Sequence, residues 1–359
     1  MIYITNFLRQ ILYFLLLIST SILAQDQGAR NCSFVASKLS FDRNVQIEIT
    51  NVVTIPVHII VVHKDNEQIG QGRNLTDAQI ISQFSVLNQD FRRLNPDTNN
   101  TPSEFLPVAA DCMIEFCLAD TDPDGNPTNG ITRYVYNSNN VTENYLDQTI
   151  KPATIWNPDY YLNIWTARIS DDGYAYMPSD GVPSYMDGVV VRDTYFGFGG
   201  SAQLPFERGH MATHEIGHYL GLFHTWGPFS GCTIGDGISD TPDQQNYYYD
   251  CPSYPQNSCG SSDMFMNYMD YVDDACLNLF TEGQKIAMHN TIQNGRPGLL
   301  QSYGCSSVDP ISITEINIKE NKKLIKSINV FGKEISKHTK NQILFYIYND
   351  GSVEKIFFN

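Results

Sequence analysis

One stretch of eleven residues constrains this chain more than any other: residues 214–224 read His-Glu-Ile-Gly-His-Tyr-Leu-Gly-Leu-Phe-His. His214 and His218 are four positions apart, so on a helix both imidazoles lie on one face. Two such imidazoles can bind one Zn²⁺, and Glu215 would lie beside the metal as a general base. Gly221 would end the helix, because glycine adopts positive φ without strain, and the turn would return His224 as third ligand. Three protein ligands leave one coordination position open, which is typical of catalytic zinc sites.

The alternative for this stretch is an ordinary helix with solvated histidines. Two histidines and a glutamate within five residues arise by chance in many helices. The present pattern instead fixes five residue types over eleven positions. It therefore favours the metal site, on a helix that we predict from about Glu207 to Leu220.

The N-terminus carries a predicted export signal. A short polar start ends at Arg9 and is followed by an apolar run of 14 residues, Ile11 to Ala24. Such a run is short for a membrane span and typical of a signal peptide, so we predict a signal at residues 1–24, with a membrane anchor as the alternative. No second run of spanning length follows, which predicts a secreted protein without a transmembrane segment after maturation. The net charge of −16 argues against nucleic acid as a partner, because phosphates attract basic surfaces.

Residues 25–50 form a polar lead without a sustained hydrophobic period, and we predict that they are a prosegment. Cys32 lies in this lead, within Arg30-Asn31-Cys32-Ser33. A thiolate is a strong zinc ligand, so Cys32 would be able to occupy the open metal position and hold an enzyme latent. The alternative is that Cys32 is an ordinary disulfide partner.

The hydrophobic pattern of residues 51–305 predicts one domain of strands and helices. A first helix should begin after Thr76, with Gln79 completing a capping box, and should end at Asn95-Pro96. Its apolar stripe is Ile80, Phe84, Leu87, Phe91 and Leu94. The predicted strands are Val52–Val62, Cys112–Leu118, Ile131–Tyr136, Tyr161–Arg168 and Gly188–Asp193, and a last helix is predicted from about Thr281 to Gln293.

Eight cysteines in an exported chain predict disulfides. On the predicted strand, Cys112 and Cys117 face opposite sides roughly 16 Å apart, too far for a bond between them. Residues 225–279 are rich in Gly, Asp, Asn and Ser. Such a segment forms little hydrophobic core, so we expect disulfides to stabilise it. Their four cysteines, Cys232, Cys251, Cys259 and Cys276, predict two disulfides, and spacing leaves three connectivities open.

The same segment contains clustered oxygen donors: Asp236, Asp240, Thr241 and Asp243. Such donors suit Ca²⁺, which takes six to eight oxygen ligands. The alternative is a solvated acidic loop.

Several motifs resemble one protease family. The long histidine pattern is the metzincin signature, and Asn267-Tyr268-Met269-Asp270-Tyr271 resembles the metzincin Met-turn. Resemblance to the pappalysins in particular is carried by Ser239-Asp240-Thr241-Pro242, Val272-Asp273-Asp274-Ala275-Cys276, Phe280-Thr281-Glu282-Gly283-Gln284, Ile114-Glu115-Phe116-Cys117-Leu118-Ala119 and Gly173-Tyr174-Ala175. The resemblance covers roughly residues 50–300. Prosegments of similar proteases contain an Arg-x-Cys-Gly run, from which Ser33 departs.

This resemblance implies roles for individual residues. His214, His218 and His224 would bind zinc, Glu215 would be base and acid, and Tyr271 would stabilise the oxyanion or lie near the metal. Met269 would form an apolar floor under the zinc. The resemblance further implies disulfides Cys232–Cys259 and Cys251–Cys276, a calcium site at Asp236, Thr241 and Asp243, and cleavage of proteins or peptides before Arg or Lys.

The tail differs in composition from the rest of the chain. Residues 311–359 contain 8 Lys against 5 Asp or Glu, whereas the whole chain is strongly acidic. This change of sign predicts a boundary near Cys305–Pro310 and a separate domain at 311–359. Its predicted strands are Ile325–Phe331, Ile343–Tyr348 and Val353–Phe358, with a tight turn at Asp350-Gly351.

The tail resembles the C-terminal sorting domain of the type IX secretion route. The residues that carry the resemblance are Ile328-Asn329-Val330-Phe331-Gly332-Lys333-Glu334 and Leu344-Phe345-Tyr346-Ile347-Tyr348-Asn349-Asp350-Gly351. The type IX machinery would then be a partner, and the protein would reach the cell surface or the medium. The alternative is a small β-module for binding or stability.

Together these features predict an α+β protein. A metzincin-like protease domain, with a twisted mixed sheet, a backing helix, an active-site helix and an irregular lower subdomain, would be followed by a small all-β domain. The favoured function is a secreted zinc endopeptidase. The alternatives are a surface adhesin or binding protein with a non-catalytic metal site, and a metal-dependent hydrolase of non-peptide bonds.

Overall fold

The computed structural model of the chain describes residues 51–305, 324–329, 342–348 and 353–358. The predicted signal peptide, the prosegment and Cys32 lie outside these residues. The chain divides into two units, Met1–Ser306 and Ser307–Asn359. Each unit is described by itself.

A six-stranded sheet organises the first unit. Its strands are β1 (Val53–His63), β2 (Ile114–Leu118), β3 (Ile131–Val135), β4 (Leu162–Ala167), β5 (Gly173–Ala175) and β6 (Val189–Arg192). The strand order is β2-β1-β4-β6-β5, and β3 also pairs with β1. All pairs are parallel except that of β5 with β6, which makes β5 an antiparallel edge strand.

Helices cover both faces of this sheet. The main ones are α1 (Asp77–Phe91), α2 (Glu143–Tyr145, π-helical Leu146–Ile150 and Lys151–Thr154), α3 (His210–Tyr219) and α4 (Glu282–Asn290, continued by π-helical Thr291–Gly295). Ile55, Val57, Ile59 and Val61 of β1 pack in one core with residues of α1 and α3, whereas Ile60 and Val62 pack in a second core with residues of α2. Burial on both faces explains why β1 reads as a continuous apolar run.

Short 3₁₀ helices connect these elements: Pro96–Asn100, Leu106–Val108, Pro178–Asp180, Ser184–Met186, Asp193–Tyr195, Asp274–Cys276 and Pro297–Gln301. Within the described ranges, none of the helices combines the length and apolar character needed to span a bilayer.

Helix α1 confirms the predicted cap but not the predicted capping box. The Thr76 side chain accepts a hydrogen bond from the Gln79 N–H at 3.1 Å. The Gln79 side chain does not return to Thr76; its Nε2 donates instead to the Phe196 carbonyl at 2.9 Å. The predicted end at Asn95 was wrong, because Arg93 adopts a left-handed φ of 51° and the helix stops at Phe91. Leu94 therefore leaves the apolar stripe and is 70% exposed.

Two other boundaries differ from the prediction for the same physical reason. Strand β2 begins at Ile114 rather than Cys112, because Met113 has a φ of 56°. Helix α3 begins at His210 rather than Glu207, because Gly209 has a φ of 80°. Strand β5 was missed, since three residues are too few for a period to show.

The chain after Gly221 is irregular, as expected. Between Gly221 and α4, its regular strands are the two-residue pair β7 (Asn257–Ser258) and β8 (Ser261–Ser262). Disulfides Cys232–Cys259 and Cys251–Cys276 hold this region and have the pairing that the family resemblance implied. A third disulfide joins Cys117 to Cys305, and Cys112 is a buried free thiol, so Cys112 and Cys117 are not partners.

The second unit contains three antiparallel strands: β9 (Leu324–Asn329), β10 (Gln342–Tyr348) and β11 (Val353–Phe358). Strand β10 lies between the other two. The three strands coincide closely with those predicted for the tail, although Phe331 and the Asp350-Gly351 turn lie outside the described residues.

Candidate metal centre and catalytic site

The three histidines of the eleven-residue pattern converge on one point. His214 and His218 lie on α3 and are fully buried, and His224 is 4% exposed. The His218 Nε2 lies 3.2 Å from the His214 Nε2 and 3.0 Å from the His224 Nε2. Across the residues that the structure describes, this is the one group of three or more His, Cys, Asp or Glu side chains close enough to hold a metal ion.

Hydrogen bonds on the far side of the rings show that this donor set fits a metal. The His214 Nδ1 lies 2.7 Å from the Tyr268 carbonyl oxygen, and the His218 Nδ1 lies 2.8 Å from the Leu222 carbonyl oxygen. Because carbonyls only accept, both Nδ1 atoms carry a hydrogen, and both Nε2 atoms present lone pairs. Burial lowers the pKa of His218 to about 4, which keeps its ring neutral.

Nitrogen lone pairs that face each other at these distances cannot form a hydrogen bond. The arrangement is therefore suited to binding a cation between the nitrogens. Tetrahedral zinc with bonds of about 2.0–2.1 Å requires ligand atoms roughly 3.3 Å apart. The nitrogen separations of 3.0 and 3.2 Å are close to this value.

Gly221 makes the turn that brings His224 back to the helix. Its φ of 90° lies in the left-handed region, as predicted. The Gly221 N–H donates to the His218 carbonyl at 2.8 Å, and the Leu222 N–H donates to the Gly217 carbonyl at 2.9 Å, which closes the end of α3. The same turn places the Leu222 carbonyl that accepts the bond from His218.

The Glu215 side chain extends from α3 towards the edge strand β5. Its side chain is fully buried. A Cβ atom placed on Gly173 of β5 would lie 2.7 Å from the Glu215 Oε1 and 2.8 Å from its Cγ. The absence of a side chain at position 173 therefore makes the room in which the carboxylate lies.

The Met-turn lies beside the histidines. Met269 is fully buried, and its sulfur is the atom that a Cβ on Gly217 of α3 would meet first. The Tyr271 ring centre lies 4.8 Å from that of His224 and 5.7 Å from that of His214. The structure thus places Met269 against Gly217 of α3, and the Tyr271 ring beside His224 and His214.

Two contributors to this centre were missed by the sequence reasoning. The Trp226 ring stacks on His224, with ring centres 4.4 Å apart and planes 11° from parallel. Asp270 is buried and accepts hydrogen bonds from the Tyr271 N–H at 2.6 Å and the Thr225 hydroxyl at 3.2 Å. Nothing in the spacing of the histidine pattern identifies either residue, although Asp270 lies within the Met-turn motif.

The predicted calcium donors are only partly gathered. The Thr241 hydroxyl lies 2.8 Å from both carboxylate oxygens of Asp236, and the Asp243 carboxylate lies against Gly235. Asp240 is used elsewhere, because its oxygens accept from the Thr281 hydroxyl at 2.7 Å and the Gly283 N–H at 2.8 Å at the start of α4. Asp240 therefore caps a helix rather than joining a cluster of oxygen donors.

Comparisons with known proteins agree with this geometry. Residues 144–293 match the peptidase family M43, described as pregnancy-associated plasma protein-A. Extracellular metalloproteases of Verticillium alfalfae and Podospora anserina are 30% and 33% identical to this chain over 257 and 248 residues. These alignments cover 69% and 66% of this chain, and 78% and 73% of the relatives.

Solved structures of mirolysin from Tannerella forsythia are also similar. Mature mirolysin in complex with a cleaved peptide is 41% identical, with a TM-score of 0.64, over 70% of this chain and 97% of that one. A promirolysin variant is 40% identical, with a TM-score of 0.62, over 70% of this chain and 85% of that one. The metal-binding geometry and these similarities lead to one conclusion: the chain belongs to the M43 family of metallopeptidases, the pappalysins.

Proposed function

We propose that the protein is a secreted zinc endopeptidase that cleaves peptide bonds before Arg or Lys. The observation that carries the proposal is the convergence of three imidazole Nε2 atoms, two of them with hydrogen-bonded Nδ1 atoms, beside the buried Glu215. His214, His218 and His224 would hold the zinc. A bound zinc ion supplies Lewis acidity, which lowers the pKa of a coordinated water and polarises the scissile carbonyl.

Glu215 is the general base and acid in this proposal. Its carboxylate takes a proton from the attacking water and returns it to the leaving amine. Complete burial excludes bulk solvent from the carboxylate and strengthens its electrostatic interactions. Contact with Gly173 holds the side chain on the side of α3 that faces the edge strand.

Tyr271 stabilises the oxyanion. Its ring lies against His224 and near His214, so the residue is a neighbour of two of the proposed zinc ligands. A phenol O–H donates a hydrogen bond to the negative oxygen that develops as water adds to the carbonyl. Asp270 supports this position, because it accepts the Tyr271 N–H.

The decisive experiment compares wild type with Glu215→Ala on a quenched fluorescent peptide, with zinc content measured on the same samples. We expect the variant to lose turnover and retain zinc, because Glu215 is not a ligand. Glu282→Ala is the control, since it removes a carboxylate at the exposed start of α4. Hydrolysis by a zinc-loaded Glu215→Ala protein would contradict the assignment. Stoichiometric zinc binding with no cleavage by wild type would favour the binding-protein alternative.

Cleavage before Arg or Lys rests on the family resemblance and fits the acidic charge of the chain, −16 overall. Mirolysin, which is 41% identical to this chain, has been solved with a cleaved peptide, so peptides are the expected substrates here as well. Mass-spectrometric mapping of cuts in a mixed peptide library tests the preference. Cuts that cluster at other residues would support peptidase activity but contradict the preference for Arg or Lys.

A calcium site at Asp236, Thr241 and Asp243 is part of the proposal. The contact of Thr241 with both Asp236 oxygens and the position of Asp243 against Gly235 place the three residues in one loop region. Calcium titration of the zinc-loaded protein should raise its melting temperature. An unchanged melting temperature, with no calcium bound, would contradict the proposed calcium site.

Export and latency complete the proposal. The relatives are extracellular metalloproteases, which supports secretion. Residues 1–24 would direct export, residues 25–50 would act as a prosegment with Cys32 on the metal, and residues 311–359 would engage the type IX machinery. Deletion of 311–359 should leave the protein in the periplasm, and normal export of the truncated protein would refute the sorting role. Cys32→Ala should give a precursor that is active before processing.

A further inference from the structure

Asp90, near the end of α1, is a buried carboxylate that the proposed reaction does not use. It is 2% exposed. Its Oδ1 accepts a hydrogen bond from the Tyr268 hydroxyl at 2.8 Å, and its Oδ2 accepts one from the Thr213 hydroxyl at 2.6 Å. Its nearest cationic candidate is His210, whose Nε2 lies 3.7 Å from Oδ1. One carboxylate on α1 is therefore bonded to α3 and to the Met-turn.

Both partners of Asp90 adjoin the same hydrogen bond of the metal centre. Thr213 directly precedes His214, whose Nδ1 donates at 2.7 Å. Tyr268 provides the carbonyl oxygen that accepts this bond. Asp90 thus holds the segment that carries the donor and the segment that carries the acceptor.

We propose that Asp90 is a positioning residue for the metal centre: it fixes the distance between α3 and the Met-turn, and thereby the orientation of the His214 ring. The inference rests on the proposed metal-binding role of His214. Groups that bond directly to metal-ligating imidazoles orient them, and their loss typically costs 10–100-fold in metal affinity or activity; Asp90 acts on the bond between His214 and the Tyr268 carbonyl through Thr213 and Tyr268.

The carboxylate has the right chemistry for this task, because it accepts one O–H bond on each oxygen and donates none. Asparagine has nearly the same shape but only one acceptor oxygen. Asp90→Asn therefore removes the negative charge and one acceptor: the hydroxyl that faces the amide nitrogen either loses its bond or turns to accept from the N–H, and no cavity opens. The change separates hydrogen bonding from packing.

The test measures zinc affinity of the purified protein by competition with a chromophoric chelator, which requires no catalysis. We expect Asp90→Asn to weaken zinc binding by 10–100-fold. Asp263→Asn is the matched control, because Asp263 is equally buried and accepts bonds from the Tyr248 hydroxyl at 2.6 Å and the Ser258 hydroxyl at 2.8 Å. It contacts neither α3 nor the Met-turn in these bonds, so its zinc affinity should stay within about twofold of wild type.

Thr213→Val and Tyr268→Phe remove the two donors one at a time, and keep the test valid if Asp90→Asn fails to fold. Each should weaken zinc binding by part of the expected factor, and the pair together, which removes both bonds, should weaken it at least as much as Asp90→Asn. If the folded variants lose thermal stability but bind zinc as tightly as wild type, Asp90 is only structural and the inference is wrong. If wild type itself binds no zinc at the three histidines, the proposed function fails instead.

Discussion

The contact between Gly173 and Glu215 predicts a large effect from one added methyl group. A Cβ at position 173 would lie 2.7 Å from the Glu215 Oε1, 2.8 Å from its Cγ and 3.0 Å from its Cδ. Ordinary contacts at such atoms begin near 3.4 Å. The Glu215 side chain must therefore move by several tenths of an ångström, because the backbone of β5 is held by β6. Misplacement of a catalytic group by about 1 Å can cost 10²-fold in rate.

Gly173→Ala should therefore lower kcat/KM by roughly 30–100-fold, which corresponds to about 2–3 kcal/mol of transition-state stabilisation. Zinc content should not change, since Glu215 is not a ligand. The assay is cleavage of a quenched fluorescent peptide, with zinc quantified by atomic emission. Position 173 does not have a left-handed φ, so alanine adds no backbone strain and the effect comes from the contact alone.

Gly283→Ala is the matched control for this prediction. A Cβ there would lie 2.5 Å from the Asp240 Oδ1, so it also meets a carboxylate closely. Asp240 caps α4 and belongs to no histidine contact in the metal centre. Gly283→Ala should cost stability and leave kcat/KM within about threefold of wild type. Equal activities for the two variants would refute the reasoning that the fit of Gly173 positions Glu215.

Three further predictions concern metal, disulfides and pH. Removal of zinc by a chelator should abolish cleavage and lower the melting temperature, and added zinc should restore both; cleavage that survives complete zinc removal would contradict the mechanism. Replacement of Cys232 and Cys259 by serine opens a loop closed over a separation of 27 residues. The free energy of unfolding measured in urea should fall by about 3–4 kcal/mol. A fall below about 1 kcal/mol would show that the region after Gly221 does not depend on this disulfide for stability. Burial lowers the pKa of Lys151 to about 8 from its ordinary value of 10.5. Above pH 8 the unfolded chain therefore holds this proton and the folded protein loses it, so stability relative to Lys151→Met should rise by about 1.5 kcal/mol between pH 8 and 9.5. If the free energies of unfolding of the two proteins change equally with pH over this range, the lowered pKa of Lys151 is contradicted.

The metal centre was predictable because its geometry is mostly local. His214 and His218 are one helical turn apart, and Gly221 reverses the chain within three residues. The pairing of the four lower cysteines came only from family resemblance, since spacing left three arrangements open. Local patterns thus identified the three histidines, and similarity supplied what spacing did not decide.

The features that were missed depend on contacts between distant segments. Gln79 was expected to bond back to its own helix start, but its amide instead meets the Phe196 carbonyl, which folding brings to it. Asp90 belongs to no motif in the sequence, and only the assembled fold places it against Thr213 and Tyr268. Strand β5 exists because β6 offers an edge. Single-sequence patterns contain no information about such partners.

The Cys117–Cys305 disulfide spans 188 positions of the sequence and so sets an order of events during maturation. The chain is made from its N-terminus, so the Cys117 thiol must wait until almost the entire protease unit has been synthesised. Throughout this interval, Cys112 is the closest competing thiol in the sequence. Burial raises the pKa of Cys112 well above its ordinary value, which keeps this thiol protonated and unreactive once the core has formed. We therefore expect correct oxidation to follow core formation, so that this bond marks molecules whose folding is complete.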